Sequence, residues 1–280
     1  MKPDPRFLSL PKSFWAYARL ISQSCGFTKR GTGELLVPTR DKVESQMQRL
    51  DISPASLDAP LPDGTSSWDR LVEYFEYRAA ILIDHVEPSL MNAEEAKNEF
   101  RLLKKRLKPK CPLPMNKQKG AKKAHAYLTC MTNMLIEAAS SGRGCDYDPR
   151  ALTTITSNGM PLRTFARRMD GAFPSVVNPI AVWEIKEYYY TTTFGSRVAD
   201  GVYETLLDGM EIEELASVED INILHYLMID AHYTWWKCGK SYLCRIVDML
   251  HMGYVDEVLV GREVLTRLPV LVEEWIQQIA

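Results

Sequence analysis

The sequence predicts an α/β protein: a mixed β-sheet flanked by helices, preceded by a mainly helical region. Three observations carry that expectation. In much of the first half, apolar residues recur at helical spacing. From residue 151 onward, β-rich and amphipathic segments alternate, which is the pattern of helices packed on a sheet. Between two β-rich stretches stands Asn158-Gly159, the two-residue signature of a hairpin turn. A chain of 280 residues, 46% hydrophobic and 25% charged, has the composition of a globular protein with a substantial core.

In order along the chain, 11–27 reads as a helix ending at Gly26, and 67–91 as a second that opens on a Ser/Asp cap and stops near Pro88. Residues 51–67 between them are rich in Pro, Ser, Asp and Gly and read as a loop. Residues 92–107 form a third helix, with acids at its N-terminus and bases at its C-terminus as the helix dipole favours. A fourth helix is expected over 120–140. Strands are expected at 151–156, 161–169 (ended by Asp170) and 180–189, then a helix over 194–216 with Val198, Val202, Tyr203, Leu206 and Leu207 on its apolar face. A long strand over 222–236, a helix through Leu243 to Leu250, a strand at 255–261 and a final helix through Leu268 to Ile276 complete the chain. The implied division is a basic helical region, 1–118, and a sheet core, 119–280.

Cys25, Cys111, Cys130, Cys145, Cys238 and Cys244 include no C-x-x-C pair and no zinc-like cluster with histidine, which argues against a disulfide framework and a structural zinc site. No signal-like apolar segment opens the chain and no apolar run approaches the roughly 18 residues of a membrane span. The expectation is a cytoplasmic protein without membrane contact.

Charge is divided unevenly. Residues 1–145 hold 23 Lys/Arg against 16 Asp/Glu, whereas 146–280 hold 11 against 20. Ten Lys/Arg and no acid fall within 101–123, among them Lys104, Lys105, Lys117 and Lys119. Such a run is either a solvated charged face or a surface that contacts phosphates.

The chemistry centres on "IAVWEIKEYY", 180–189. Residues two apart on a strand share a face, so Glu184 and Lys186 project together with Ile180 and Val182, while Ala181, Trp183 and Ile185 project the other way. Thirteen residues separate Asp170 from Glu184, with Pro174 and Pro179 among them, room for the chain to return alongside. If the two strands are neighbours, Asp170 and Glu184 converge on one hard cation with the Lys186 ammonium beside them. Mg²⁺ (Mn²⁺ can substitute) needs only one or two protein carboxylates, and such a set suits phosphodiester hydrolysis. The bland alternative is an exposed Glu184–Lys186 ion pair with Asp170 in a turn.

Asp, a spacer, then Glu-x-Lys on an apolar strand, with a hairpin before and a helix and strand after, resembles the PD-(D/E)XK nucleases, and within them type II restriction endonucleases. The resemblance covers roughly 120–260; Met169 stands where the family often has proline. It implies a restriction-endonuclease-like core that cleaves double-stranded DNA at specific sequences. Asp170 and Glu184 would be the metal ligands and Lys186 the third catalytic group. It further implies that Glu137, on the helix before the hairpin, supplies another acid, though a capping or surface role is equally open. The helix after the motif would border the site and contact DNA, with Arg197 and the hydroxyls of Thr192, Thr193 and Ser196 holding phosphate; a solvent-facing Arg197–Asp200 or Glu204 set is the alternative. A palindromic target implies a homodimer, and a restriction system implies a cognate DNA methyltransferase. A structure-specific repair or recombination nuclease and a non-catalytic DNA-binding protein are the competing functions.

"TWWKCGKS", 234–241, mimics the end of a phosphate-binding loop but lacks its first glycine, Thr234 standing there. His225 and His232 are seven apart on the expected long strand, so they would face opposite sides and could not share a metal.

Overall fold

A computed structural model of the chain describes residues 1–116, 124–190 and 195–279. Helices α1 (Pro5–Leu8), α2 (Lys12–Cys25), α3 (Arg40–Gln48) and α4 (Ser67–Ile81) come first, with a 3-10 turn at Pro54–Asp58. Helix α4 is capped by Ser66, whose hydroxyl accepts the Asp69 amide at 3.1 Å, and runs through a π-turn, Leu82–Val86, into α5 (Glu87–Ser89). Helix α6 (Ala93–Leu107) opens on a reciprocal capping box between Asn92 and Glu95, and α7 (Tyr127–Ala139) follows. The remaining elements are β1 (Asp146–Tyr147), β2 (Thr154–Ser157), β3 (Met160–Thr164), β4 (Gly171–Phe173), β5 (Ala181–Glu187), α8 (Ser196–Glu219), β6 (Leu224–Asp230), α9 (Lys240–His251), β7 (Glu257–Val260) and α10 (Glu263–Ile279).

Five strands form one mixed sheet in the order β1-β4-β5-β6-β7. The β1–β4 and β4–β5 pairs are antiparallel, and β5–β6 and β6–β7 are parallel. Strand alternation sorts side chains onto two faces. Ala181, Trp183, Tyr226, Met228 and Leu259 pack with α6, α7 and α10 on one face, where Trp183 stacks on Trp275. Leu227, Ile229, Val258 and Val260 pack with α8 and α9 on the other. The mixed sheet flanked by helices is as the sequence predicts.

Several details differ. The Asn158-Gly159 hairpin forms, both turn residues having positive φ as a two-residue turn of this kind requires, but β2 and β3 make a separate two-stranded sheet. The expected strand 161–169 stops at Thr164. Asp170 therefore does not end that strand; it leads into β4, a three-residue strand. The expected strand 222–236 stops at Asp230, where Ala231 takes φ 110° and the chain turns into a π-helical stretch, Tyr233–Cys238. His232 is therefore off the strand, 3.6 Å from Glu87. On α8, Val198 and Val202 are buried as expected, but Tyr203 and Leu207 are exposed.

The helices α1–α4 have their own apolar cluster around Phe7, Phe14, Trp15 and Tyr74. They join the sheet layers through α9, where buried Asp248 accepts from Arg78 at 2.8 Å and from the Tyr74 hydroxyl at 2.5 Å. Removing one partner from such a buried pair costs about 3–5 kcal/mol. The basic helix α6 packs with α7 and α10 in the sheet's own core, so by packing the core begins at α6 rather than at residue 119.

Candidate active site

The site begins in an irregular segment. Phe165 and Met169 are buried and anchor the stretch between β3 and β4, leaving Arg167 between them. Register does the rest. Gly171 pairs with Trp183, so one step back along the antiparallel ladder Asp170 stands opposite Glu184. The Asp170 amide donates to the Trp183 carbonyl at 3.1 Å and lies 3.3 Å from Glu184 Oε1, while the Ile185 amide donates to Asp170 Oδ2 at 2.8 Å. The close fit depends on Gly171, where a Cβ would fall 2.1 Å from the Trp183 ring.

Lys186 Nζ donates to Glu184 Oε2 at 2.7 Å and to Glu204 Oε2 at 3.0 Å. Glu204, Asp208 and Gly201 come from α8, at spacings of three and four that place them on one helical face. Arg167 ties the two elements together: its guanidinium lies 2.9 Å from Glu184 Oε1, 2.5 Å from Asp208 Oδ2 and 3.3 Å from Glu204 Oε2. The cluster thus holds four carboxylates, Asp170, Glu184, Glu204 and Asp208, against two cations. Glu184 and Asp208 are fully buried, and Glu204, 43% exposed at its side chain, marks the side open to solvent.

The excess of negative charge sets the protonation states. Burial, reinforced by the Glu184 charge, pushes the Asp170 carboxyl up to about 6 and that of Asp208 up to about 7. Burial would raise Glu184 too, but Lys186 and Arg167 outweigh it and hold Glu184 below its ordinary value. Burial works against the Lys186 charge, yet Glu184 and Asp170 hold its pKa above that of an ordinary lysine. Lys186 is therefore a fixed cation here and not a base. Among the described residues, two buried atoms at the margin have no partner: Asp208 Oδ1 and His225 Nε2. The other ring nitrogen, His225 Nδ1, lies 2.8 Å from the Tyr254 carbonyl; donation there leaves Nε2 as an acceptor, and burial keeps the imidazole neutral.

Among the described residues no group of three or more His, Cys, Asp or Glu side chains is arranged to hold a metal ion. The donors nonetheless suit a hard cation: oxygen ligands on adjoining strands, a raised Asp170 carboxyl that a cation would relieve, and an unpartnered Asp208 oxygen. Arg167 already pairs with Glu184 and Asp208, so an ion bound there would have to displace its guanidinium from Glu184.

A family model described as a domain of unknown function, DUF7687, matches residues 91–275. That span is more than half of the chain. The chain belongs to the DUF7687 family. A second domain of unknown function, DUF7690, matches residues 1–85, which take in α1–α4. No curated protein and no solved structure matches the chain. Every residue of the carboxylate cluster lies within the DUF7687 segment.

Within that segment the structure brings together Asp170, Glu184 and Lys186, the three residues expected from the sequence. It does not bring Glu137 to them. Glu137 lies on α7, across the sheet from α8, and accepts from the Lys110 amide at 2.9 Å. Glu187, one step past the motif, instead reaches α7, accepting from the Leu128 amide at 3.0 Å and the Thr129 hydroxyl at 2.8 Å. Ser196 and Arg197 are exposed at the start of α8, and Arg197 shares the face of Gly201 one turn before it. Thr192, Thr193, Lys117 and Lys119 lie outside the described residues. Lys104 and Lys105 are on α6, in the layer opposite α8, so they do not border the cluster. The loop-like "TWWKCGKS" is committed elsewhere, Lys240 Nζ donating to the Gly33 carbonyl at 2.9 Å and lying over Trp236.

Sequence reasoning missed Arg167 and Asp208 and left Glu204 open between a helix face that borders the site and a solvent face. For the two acids a signal was present: Asp200, Glu204 and Asp208 recur every four residues. For Arg167 there was none, because the segment around it has no period.

Proposed function

We propose that this DUF7687 protein is a Mg²⁺-dependent endonuclease of the restriction type that hydrolyses phosphodiester bonds of double-stranded DNA. The observation that carries the proposal is the register of β4 on β5, which sets Asp170 against Glu184 with the Lys186 ammonium 2.7 Å from Glu184. The order of elements around it adds support: a helix, antiparallel strands, a helix and a parallel strand surround the motif as the resemblance implies.

Asp170 and Glu184 are the residues that would hold the ion, with Asp208 beside them. A bound Mg²⁺ would acidify its water and draw charge from the scissile phosphate. Lys186, held protonated, neutralises charge developing on the phosphate and orients the attacking water by donation. Arg167, released from Glu184, is placed to donate to phosphate oxygens with a planar fork that suits them. Arg197 and Ser196, about two turns along α8 from Glu204, are placed to hold the adjoining backbone. Two copies would serve a palindromic site, and a methyltransferase of the same specificity would protect host DNA.

The test is a plasmid incubated with the protein and Mg²⁺, with EDTA, Asp170→Asn and Lys186→Ala as controls. Discrete fragments are expected from the wild type and none from the controls. Cleavage of branched DNA with the plasmid left intact would shift the proposal to a structure-specific nuclease. A second reading, a structural ion network in a non-catalytic protein, is favoured by the engagement of both Glu184 oxygens by cations; absence of both scission and metal binding would select it.

A further inference from the structure

A second site lies on the other side of α8. Where α2 and the chain after it meet α8 and α9, a cleft of about 260 Å³ opens, walled by Arg19, Gln23, Phe27 and Arg245 and floored by Leu206 and Met249. Its walls come from both family segments, 1–85 and 91–275. Positive charge dominates it. Arg245 is half-buried, its guanidinium over the rings of Phe27 at 4.3 Å and Tyr242 at 5.0 Å, and its hydrogen bond goes to the Ser241 carbonyl rather than to an acid. Arg78 approaches the same Phe27 ring at 5.5 Å. Among the described residues neither Arg19 nor Arg245 has a carboxylate partner. Among the described residues the one acid lining the cleft is Asp248, which is already paired with Arg78 and accepts from the Tyr74 hydroxyl.

We propose that this cleft is a binding site for a nucleoside monophosphate. Two guanidinium groups without a counter-ion on one small cavity suit a dianion, and the guanidinium fork matches phosphate oxygens two at a time. The apolar side chains of Val202, Leu206 and Met249 and the Tyr203 ring suit a flat body, and the Gln23 amide can both donate to and accept from a base edge. Size limits the occupant to one small molecule such as a single nucleotide rather than an oligonucleotide: drug-sized ligands occupy clefts of roughly 300–1,000 Å³, and this one, at about 260 Å³, falls just below that range. The site is separate from the carboxylate cluster, and its occupancy does not depend on whether the cluster hydrolyses DNA. It shares α8 with that cluster, Tyr203 and Leu206 lining the cleft while Glu204 and Asp208 face Arg167.

The test is isothermal titration of the full chain, in EDTA, with AMP, GMP, CMP and UMP, and with adenosine and inorganic phosphate as separate arms. Saturable one-site binding of at least one mononucleotide is expected, with adenosine and phosphate each weaker by about tenfold or more. Arg245→Met should weaken it by a similar factor. Leu206→Trp, which fills the cleft, should remove it while the unfolding transition is retained. The proposal is overturned if no mononucleotide binds up to millimolar concentration, if adenosine or phosphate binds as tightly, or if both variants bind like the wild type.

Discussion

Asp170 and Glu184 are coupled across the β4–β5 seam through backbone as well as charge: the Asp170 amide approaches Glu184 Oε1 at 3.3 Å, and the amide following Glu184 donates to Asp170 Oδ2 at 2.8 Å. The Asp170 carboxyl, at about 6, is raised first by burial and then by the charge of Glu184. Glu184→Gln removes the second cause and leaves Arg167 and Lys186 without their main partner. The Asp170 titration should therefore move down towards the ordinary carboxylate value of about 4. Carboxyl ¹³C shifts followed against pH would report it, and an unmoved Asp170 titration would mean that the two groups do not interact.

Arg167, together with Lys186, ties α8 to the sheet. Its pairs with Glu184 and Asp208 are buried on the acid side, so Arg167→Met should lower the unfolding free energy by about 3 kcal/mol. The same change frees Glu184 and Asp208 for an added ion. Mg²⁺ or Ca²⁺ should then raise the melting temperature of Arg167→Met more than that of the wild type, since an ion that binds only the folded state stabilises it. Equal metal-induced increments in the two proteins would exclude competition between Arg167 and metal.

How legible this site was depends on the local period of the chain around each residue. Glu184 and Lys186 sit on a seven-residue strand whose alternation is visible in the residues themselves, and the structure keeps that alternation. Asp170 was legible by its spacing, although β4 has only three residues and was hidden within an apolar run with glycine and proline. Arg167 lies between a hairpin and that short strand, where neither period applies, and its position is set by Phe165 and Met169 packing beneath it. The extended strand expected through Trp236 failed for a related reason. Apolar and aromatic residues continue past Asp230, but Asp230 accepts from the adjacent Ala231 amide and, from residues distant in sequence, the Met91 amide and the Tyr189 hydroxyl; the strand ends there.

The buried acids predict how stability varies with pH. Burial raises Glu187, Asp208 and Asp230 each to about 7 and Asp170 to about 6. Unfolded, these groups titrate near 4, so between about 4 and 7 the folded state binds more protons, and stability rises as pH falls through that window. Histidines 225 and 251 act oppositely, because burial lowers their pKa values and the unfolded chain takes up their protons below about 6.5. The clean window is therefore pH 8 to 6.5, where the urea midpoint should increase on acidification. Glu187→Gln should flatten part of that slope. A midpoint that falls from pH 8 to 6.5 would contradict the raised values.

Gly201 offers a way to disturb the site without disturbing the fold. A Cβ there would stand 2.8 Å from the Tyr188 hydroxyl and 3.1 Å from Lys186 Cδ. Both are outer parts of flexible side chains, so they can shift while the backbone stays in place. Alanine in a helix is also favoured over glycine by about 1 kcal/mol, which offsets some of the contact cost. Gly201→Ala should accordingly change the unfolding free energy by no more than about 1 kcal/mol, yet move the Lys186 ammonium away from Glu184 and Glu204. If Lys186 supports phosphodiester cleavage, the rate should fall, by less than the roughly 100-fold that a misplacement of about 1 Å costs. Gly171→Ala is the contrast: its Cβ would fall within the Trp183 ring, so the loss there should be in stability, by 1–3 kcal/mol or more. Urea titration alongside plasmid cleavage separates the two, and equal loss of stability in both variants would show that Gly201 serves packing rather than the placement of Lys186.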